Sequence, residues 1–291
     1  MRKGLAILGI AGVAAAFAYY VSERPMDLRV YYYGARGVFD GTRPMYGVSS
    51  GLGWPMHYRY PPLFLLLFAP IAMLPLKVAS AAWVAAKIAV LVWLILSMWR
   101  RGLRVDSARC ENADEKDSSS LWYVVPILLI TPYIVEEFRY GNAQFFVVAL
   151  SIYGLLVVRA RPALGGASLG LAIAMKVWPL FFLPYLAVRR DWKAVACAVG
   201  SVVVLALLPS LHFGWTENID LLGQWFRQES QTQMGESEIW FPNQSLYGVL
   251  TRFLTVIDYS RGPDANYAQV HIATLDPATV RLFCPSPVER P

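Results

Sequence analysis

Long apolar runs alternate along this chain with short polar junctions, most of them basic. Seven runs read as membrane crossings: about residues 4–21, 79–98, 121–135, 143–158, 164–176, 178–188 and 194–211. Several are shorter than the ~20 residues that span a ~30 Å hydrocarbon core. A further apolar stretch, PPLFLLLFAPIAMLP (61–75), is short and bracketed by prolines. It reads as a juxtamembrane or re-entrant helix, because counting it as a crossing would move the RRGLR cluster (100–104) to the outer side.

Composition agrees with this pattern. The 291 residues are 56% hydrophobic and only 16% charged, where soluble domains carry about a quarter; the mean hydropathy is +0.42. The predicted fold is therefore an all-α polytopic membrane protein, a bundle of about seven or more transmembrane helices with juxtamembrane helices on its outer face. Residues 1–257 form the membrane domain and 258–291 a polar, proline-rich tail. Residues 1–21 resemble a signal peptide, but no convincing small-residue cleavage site follows, so they read as a retained first helix.

The net charge of +6 is topological. Of 26 Lys and Arg, twelve fall in four clusters: Arg2 and Lys3; Arg100, Arg101, Arg104, Arg109 and Lys116; Arg159 and Arg161; Arg189, Arg190 and Lys193. All four can be cytoplasmic at once with the N-terminus inside. Segments 22–78, 136–142 and 212–245 then face outward, and the last sets Glu217, Asp220, Glu229, Glu236 and Glu238 against a single Arg227. No basic–aromatic motif suggests a nucleic-acid partner. The three cysteines (Cys110, Cys197, Cys284) lack metal or disulfide-framework spacing, and three histidines (His57, His212, His271) are too few for a multi-histidine site. No metal is expected. Walker, Rossmann, HExxH and GxSxG signatures are all missing.

The candidate chemistry sits in the outer segments. In SERPMDLRVYYYGARGVFDG (22–41), Asp27 opens an amphipathic helix on which Leu28, Tyr31, Tyr32, Ala35, Val38 and Phe39 share a face. Asp27 reads either as a helix-end carboxylate stabilised by free N–H groups or as a general base for an acceptor hydroxyl. Asp40, in DGTRPMYG, reads as a turn. In HYRYPP (57–62), Tyr58 and Tyr60 flank Arg59, which either joins an interfacial belt with them or binds a phosphate. EEFRYGNAQFF (136–146) brings Asn142 and Gln144 to the mouth of an apolar run, for helix–helix hydrogen bonds or for a ligand. Lys176, in AMKVWP, lies at a depth that costs a cation roughly 2.5–3.5 kcal/mol, so it should face a cavity or an anionic partner. Lys87, mid-span, reads either in the same way or, at least as readily, as a snorkelling or inter-helix-paired side chain. WFPNQSLYGVLTR (240–252) places Asn243 and Gln244 before a run ending at Arg252, as a helix cap or as sugar-hydroxyl contacts.

An acid after the first span, then YRYPPLFLLLFAPIAMLP, GNAQ, GxxLGLAIAMKVWPLFFLP closing in RRDWK, and NQSLYG with a following Arg: this order resembles glycosyltransferase family 87, of the GT-C superfamily. The similarity runs over about residues 1–257. It implies a multi-helix fold with its catalytic acid in the first outer loop. Asp27 would be the base, and the donor a polyprenyl-phosphate sugar, most simply mannose. Arg59, Lys176 and Arg252 would hold the donor phosphate, with Tyr58, Tyr60, Asn142, Gln144, Asn243 and Gln244 around the sugars. Such donors need no nucleotide, so no cofactor is expected. The partners would be the lipid bilayer, that donor, and a glycolipid or glycan acceptor. The protein would be a multi-pass plasma (inner) membrane protein with its active face extracytoplasmic. Family members usually carry more helices beyond the NQS segment, where this chain turns polar. Two other classes compete: a transporter or flippase of a lipid-linked sugar, which would show repeated halves or matching broken helices, and a non-catalytic membrane scaffold.

Overall fold

The computed structural model describes residues 26–47, 49–51, 54–101, 121–231 and 246–257, with Tyr19, 270–276 and 279–280. The chain forms two compact units, Met1–Leu222 and Gly223–Pro291. The expected first crossing (4–21) and the NQS segment with Asn243 and Gln244 lie outside the described residues, Tyr19 apart.

The first element described in the first unit is α1 (Met26–Phe39), which buries Leu28, Tyr31, Tyr32 and Ala35 at helical spacing. The helix closes at Gly41, whose φ of +65° is a left-handed conformation that glycine adopts without steric cost. An antiparallel hairpin follows, β1 (Ser49–Gly51) on β2 (Trp54–His57). Prolines 61 and 62 then start α2 (Pro62–Ala72), where a missing N–H does no harm. Leu63, Phe64, Leu65 and Phe68 of α2 are buried. This is the separate short helix expected for 61–75, and the hairpin adds a small strand pair to an otherwise helical chain.

The bundle continues with α3 (Leu76–Arg101), α4 (Leu121–Tyr140), α5 (Gln144–Val157) and α6 (Pro162–Met175). A single 3₁₀ turn (Trp178–Phe181) leads into α7 (Phe182–Val188). Then come α8 (Trp192–Leu207), the short α9 (Ser210–Phe213) and α10 (Trp215–Gln231), which crosses the division between the units.

Small residues let α6 press against two neighbours. A Cβ on Gly166 would lie 2.2 Å from the Ala194 carbonyl oxygen of α8, and one on Gly170 would lie 2.5 Å from Ser201 Cβ. On the other side, a Cβ on Gly165 would meet Val158 Cα at 2.7 Å and the Gly154 carbonyl of α5 at 2.8 Å. Backbone-to-backbone approach of this kind is how helices associate where lipid removes the hydrophobic drive between them.

Among the described residues, two helical stretches are long and apolar enough to cross a membrane, Leu76–Met98 and Trp192–Phe213. About seven crossings are not shown on length among the described residues. Helices α5 and α6 have 14 residues each, about 21 Å, because basic junctions and prolines cut the apolar runs. The outer surfaces remain greasy all the same: Phe181 is 82% exposed and Leu211 87%. Apolar side chains turned outward in this number suit lipid as the surrounding solvent.

The second unit holds α11 (Leu246–Leu254), against which a C-terminal segment folds back through Ile272 N–H to Phe253 O at 2.8 Å and Leu275 N–H to Leu254 O at 2.7 Å. Arg252 is buried in this unit.

Candidate active site

Asp27 occupies the first turn of α1, near the positive end of the helix dipole. Its carboxylate is hydrogen-bonded by the side chain of Asn142 and lies in the fields of the Lys176 and Lys87 ammonium groups. Burial raises its pKa above the ordinary 3.8 of an aspartate; Lys176, then Asn142, then Lys87 pull it back toward the ionised form.

Asn142 is oriented from both sides. It lies in the turn between α4 and α5, just after Gly141 with φ +70°. Its Oδ1 accepts from the Tyr60 hydroxyl at 2.9 Å and from the Gln144 backbone N–H at 2.8 Å. Since an amide oxygen accepts and the amide nitrogen donates, this arrangement turns Nδ2 toward the Asp27 carboxylate. The Gln144 bond also satisfies one of the free N–H groups that begin α5. Of the two uses that the sequence left open for Asn142, helix–helix hydrogen bonds and ligand contact, these bonds belong to the first, tying the linker at Tyr60 to the start of α5.

Tyr60 is held in turn. Its carbonyl accepts from Tyr46 at 2.8 Å, and its hydroxyl lies 3.2 Å from that of Tyr31, which accepts from Ala143 N–H at 3.3 Å. Burial lifts the pKa of the Tyr31 phenol well above its ordinary value, so it remains a neutral donor. Tyr31 packs edge-on against Tyr60, Phe64, Phe68 and Trp83, with centroids 5.0–6.3 Å apart. Of the three tyrosines 31–33, Tyr31 and Tyr32 are thus interior residues, with Tyr32 donating to Leu74 O at 2.9 Å.

Lys176 ends α6 in extended backbone, and its Nζ stands 5.3 Å from the Tyr60 ring centroid. This is a cation–π contact, and the extended residue falls at the break between the apolar runs 164–176 and 178–188. Beside the cluster lies a cavity of about 280 Å³ lined by Phe64, Phe68, Trp83, Trp93, Phe146 and Met175 among others. Its walls are almost wholly apolar.

The structure thus gathers Asp27, Tyr60, Asn142 and Lys176 in one place. Tyr58 is buried next to them but donates to Pro61 O at 3.2 Å, supporting the turn. Gln144 contributes its backbone N–H. Arg59 is exposed, and Arg252 belongs to the second unit. Tyr31, placed by the sequence only on the apolar face of its helix, and Trp83 were not among the expected site residues. Trp83 and Lys87 are four residues apart on α3, a spacing that puts both on one helical face and was open to notice.

The helices thus bring a carboxylate, an amide, a phenol and an ammonium group together, and the apolar cavity is lined by Phe64, which packs on Tyr60, and by Met175, which precedes Lys176. The chain belongs to glycosyltransferase family 87, whose profile matches residues 58–284. It is 30% identical over 269 residues to a polyprenol-phosphate-mannose-dependent alpha-(1-2)-phosphatidylinositol mannoside mannosyltransferase of Mycobacterium tuberculosis, covering 87% of this chain and 60% of that one. A Mycolicibacterium smegmatis protein of the same name is 29% identical over 237 residues, 78% of this chain and 52% of its own length. A pentamannoside mannosyltransferase of M. smegmatis is 27% identical over 176 residues, 60% of this chain and 40% of its own length. The chain therefore spans between two fifths and three fifths of these curated relatives. No solved structure matches it.

Proposed function

We propose that this chain is a membrane glycosyltransferase that moves mannose from a polyprenyl-phosphate donor to a glycolipid acceptor, with inversion, using Asp27 as general base. The observation that carries the reading is the Asp27 carboxylate, bonded to Asn142 and facing Lys176, whose neighbour Met175 lines an apolar cavity. The acceptor hydroxyl gives its proton to Asp27 while its oxygen attacks the anomeric carbon from the side opposite the phosphate. The carbon–oxygen bond to the phosphate breaks, and polyprenyl phosphate leaves with the bonding electrons. Lys176 offsets the charge that grows on that phosphate. Arg59 and Arg252 are assigned the same phosphate, on sequence position. The cavity takes the isoprene units next to it.

Tyr60 and Asn142 border the sugar, with Tyr58, Gln144, Asn243 and Gln244 assigned to the remaining substrate contacts. The relatives' names support mannose and a phosphatidylinositol mannoside as donor sugar and acceptor class. The four basic clusters support a plasma-membrane protein of about seven crossings, with its N-terminus in the cytoplasm and this site on the outer face.

The test is transfer of radiolabelled mannose from polyprenyl-phosphate mannose in membranes carrying the chain. The wild type transfers label, and Asp27→Asn loses on the order of 10²–10⁴-fold of the rate, as expected for removing a general base. Equal transfer by both removes Asp27 from this role. No transfer by the wild type from any such donor removes the transferase reading for this chain.

A further inference from the structure

The Asn142 turn is held from below by α3, through contacts that the proposed chemistry leaves unused. Lys87 is fully buried, with its side chain 0% exposed. Its Nζ donates to the Glu137 carbonyl oxygen at 2.7 Å and stands 3.6 Å from the Glu137 carboxylate and 5.3 Å from the Phe138 ring centroid. That carboxylate in turn accepts from Phe145 N–H at 2.9 Å, inside the first turn of α5. One helical turn earlier on α3, Trp83 donates its indole N–H to Gly141 O at 2.8 Å. Five contacts, made by two side chains and the carboxylate between them, thus bracket residues 137–145, on both sides of Asn142.

We infer that Trp83 and Lys87 are positioning residues, which fix the 137–145 turn so that the Asn142 amide stays on the Asp27 carboxylate. A buried lysine is costly unless paired, and here it is paired with a carbonyl and a carboxylate of the one segment whose placement the site needs. Stability alone would be served as well by an apolar residue of similar volume. The inference rests on the reading of Asp27 as the working base.

The test follows the ionisation of Asp27 in the purified full chain in detergent. A water-soluble carbodiimide with an amine labels the protonated carboxyl, and mass spectrometry reads the adduct against pH. The charged and titratable groups facing Asp27 are Lys176, Lys87, Glu137 and Tyr31. Asn142→Ala moves the labelling midpoint upward, since the Asn142 bond favours the ionised carboxylate. Trp83→Phe removes no charge, yet it moves the midpoint the same way and adds nothing further in the Asn142→Ala background. Lys87→Met also moves it upward, by less when Asn142 is already gone, and Lys87→Arg restores it.

A purely structural role gives another pattern: Trp83→Phe lowers the melting temperature while the midpoint stays put, and Lys87→Met moves the midpoint equally with and without Asn142, through its lost charge alone; either result overturns the inference. So does a Trp83→Phe shift of equal size with and without Asn142. If Trp83→Phe does not fold, the Lys87 pair decides alone. The labelling uses no sugar donor, so failure of the transferase reading shows as absent mannosyl transfer with the labelling pattern intact.

Discussion

The Tyr60 hydroxyl donates to Asn142 Oδ1 at 2.9 Å across 82 residues of sequence. That bond joins the linker before α2 to the turn before α5 and sets the direction in which the Asn142 amide points. Tyr60→Phe keeps the ring that faces Lys176 and loses only this donor. Transfer should fall roughly tenfold, the rate equivalent of about 1.4 kcal/mol, with little change in melting temperature. Mannosyl transfer assayed beside thermal melting checks it.

Asp27 gives a pH signature whose sign follows from its raised pKa. A general base works when ionised, so transfer should fall as pH drops through the folded pKa, above the 3.8 of an ordinary aspartate. The effect on stability has the opposite sense. Because the folded state holds the proton more tightly than the unfolded one, stability is lost as pH rises from the unfolded to the folded pKa. Asp27→Asn should therefore melt higher than wild type at neutral pH, with the gap closing below pH 3.8. Melting curves at both pH values test it.

Lys176 is the cation proposed to offset the charge on the leaving phosphate. Lys176→Met should lower kcat/KM for the polyprenyl-phosphate donor by about 10²–10³-fold, as for other removed charge stabilisers. It should also raise the pH at which transfer is half-maximal, because the Lys176 charge holds the Asp27 pKa down. A pH–rate profile of the variant reads both. Lys176→Arg should keep part of the rate and the lower midpoint.

The glycine contacts of α6 predict unequal costs for one chemical change. Gly166→Ala pushes a methyl group to 2.2 Å from the Ala194 carbonyl, whereas Gly200 on α8 has nothing within 4 Å of its added Cβ. Gly166→Ala should destabilise by about 1–3 kcal/mol, the range for overpacking. Gly200→Ala should be neutral or slightly stabilising, since alanine is the better helix former by about 1 kcal/mol. Melting in detergent separates the two.

The cavity beside the cluster predicts a dependence on chain length. Ala86 and Ala149 both line it. Ala86→Phe, by filling it, should raise KM for a long-chain polyprenyl-phosphate donor several-fold and leave a donor of one or two isoprene units almost unaffected. Steady-state kinetics with both donors makes the comparison.

The sequence by itself determined the class of this protein and most of its helices. Apolar runs between basic junctions have few other physical outcomes, and the prolines at 61, 62 and 179 marked real breaks. It also picked out Asp27, Tyr60, Asn142 and Lys176, since each is a polar residue whose place next to an apolar run needs a reason. What it left open was which of them meet. Asp27 and Asn142 belong to separate segments, and periodicity along one helix carries no information about a partner on another. The same holds for Lys87, whose two readings were settled by the carbonyl and carboxylate of Glu137 on α4. Among the described residues two of the expected crossings have spanning length, since hydropathy measures greasiness whereas spanning also requires length. Only the packed structure decided that the amide of Asn142 turns toward Asp27, because that direction follows from two hydrogen bonds that consume its oxygen.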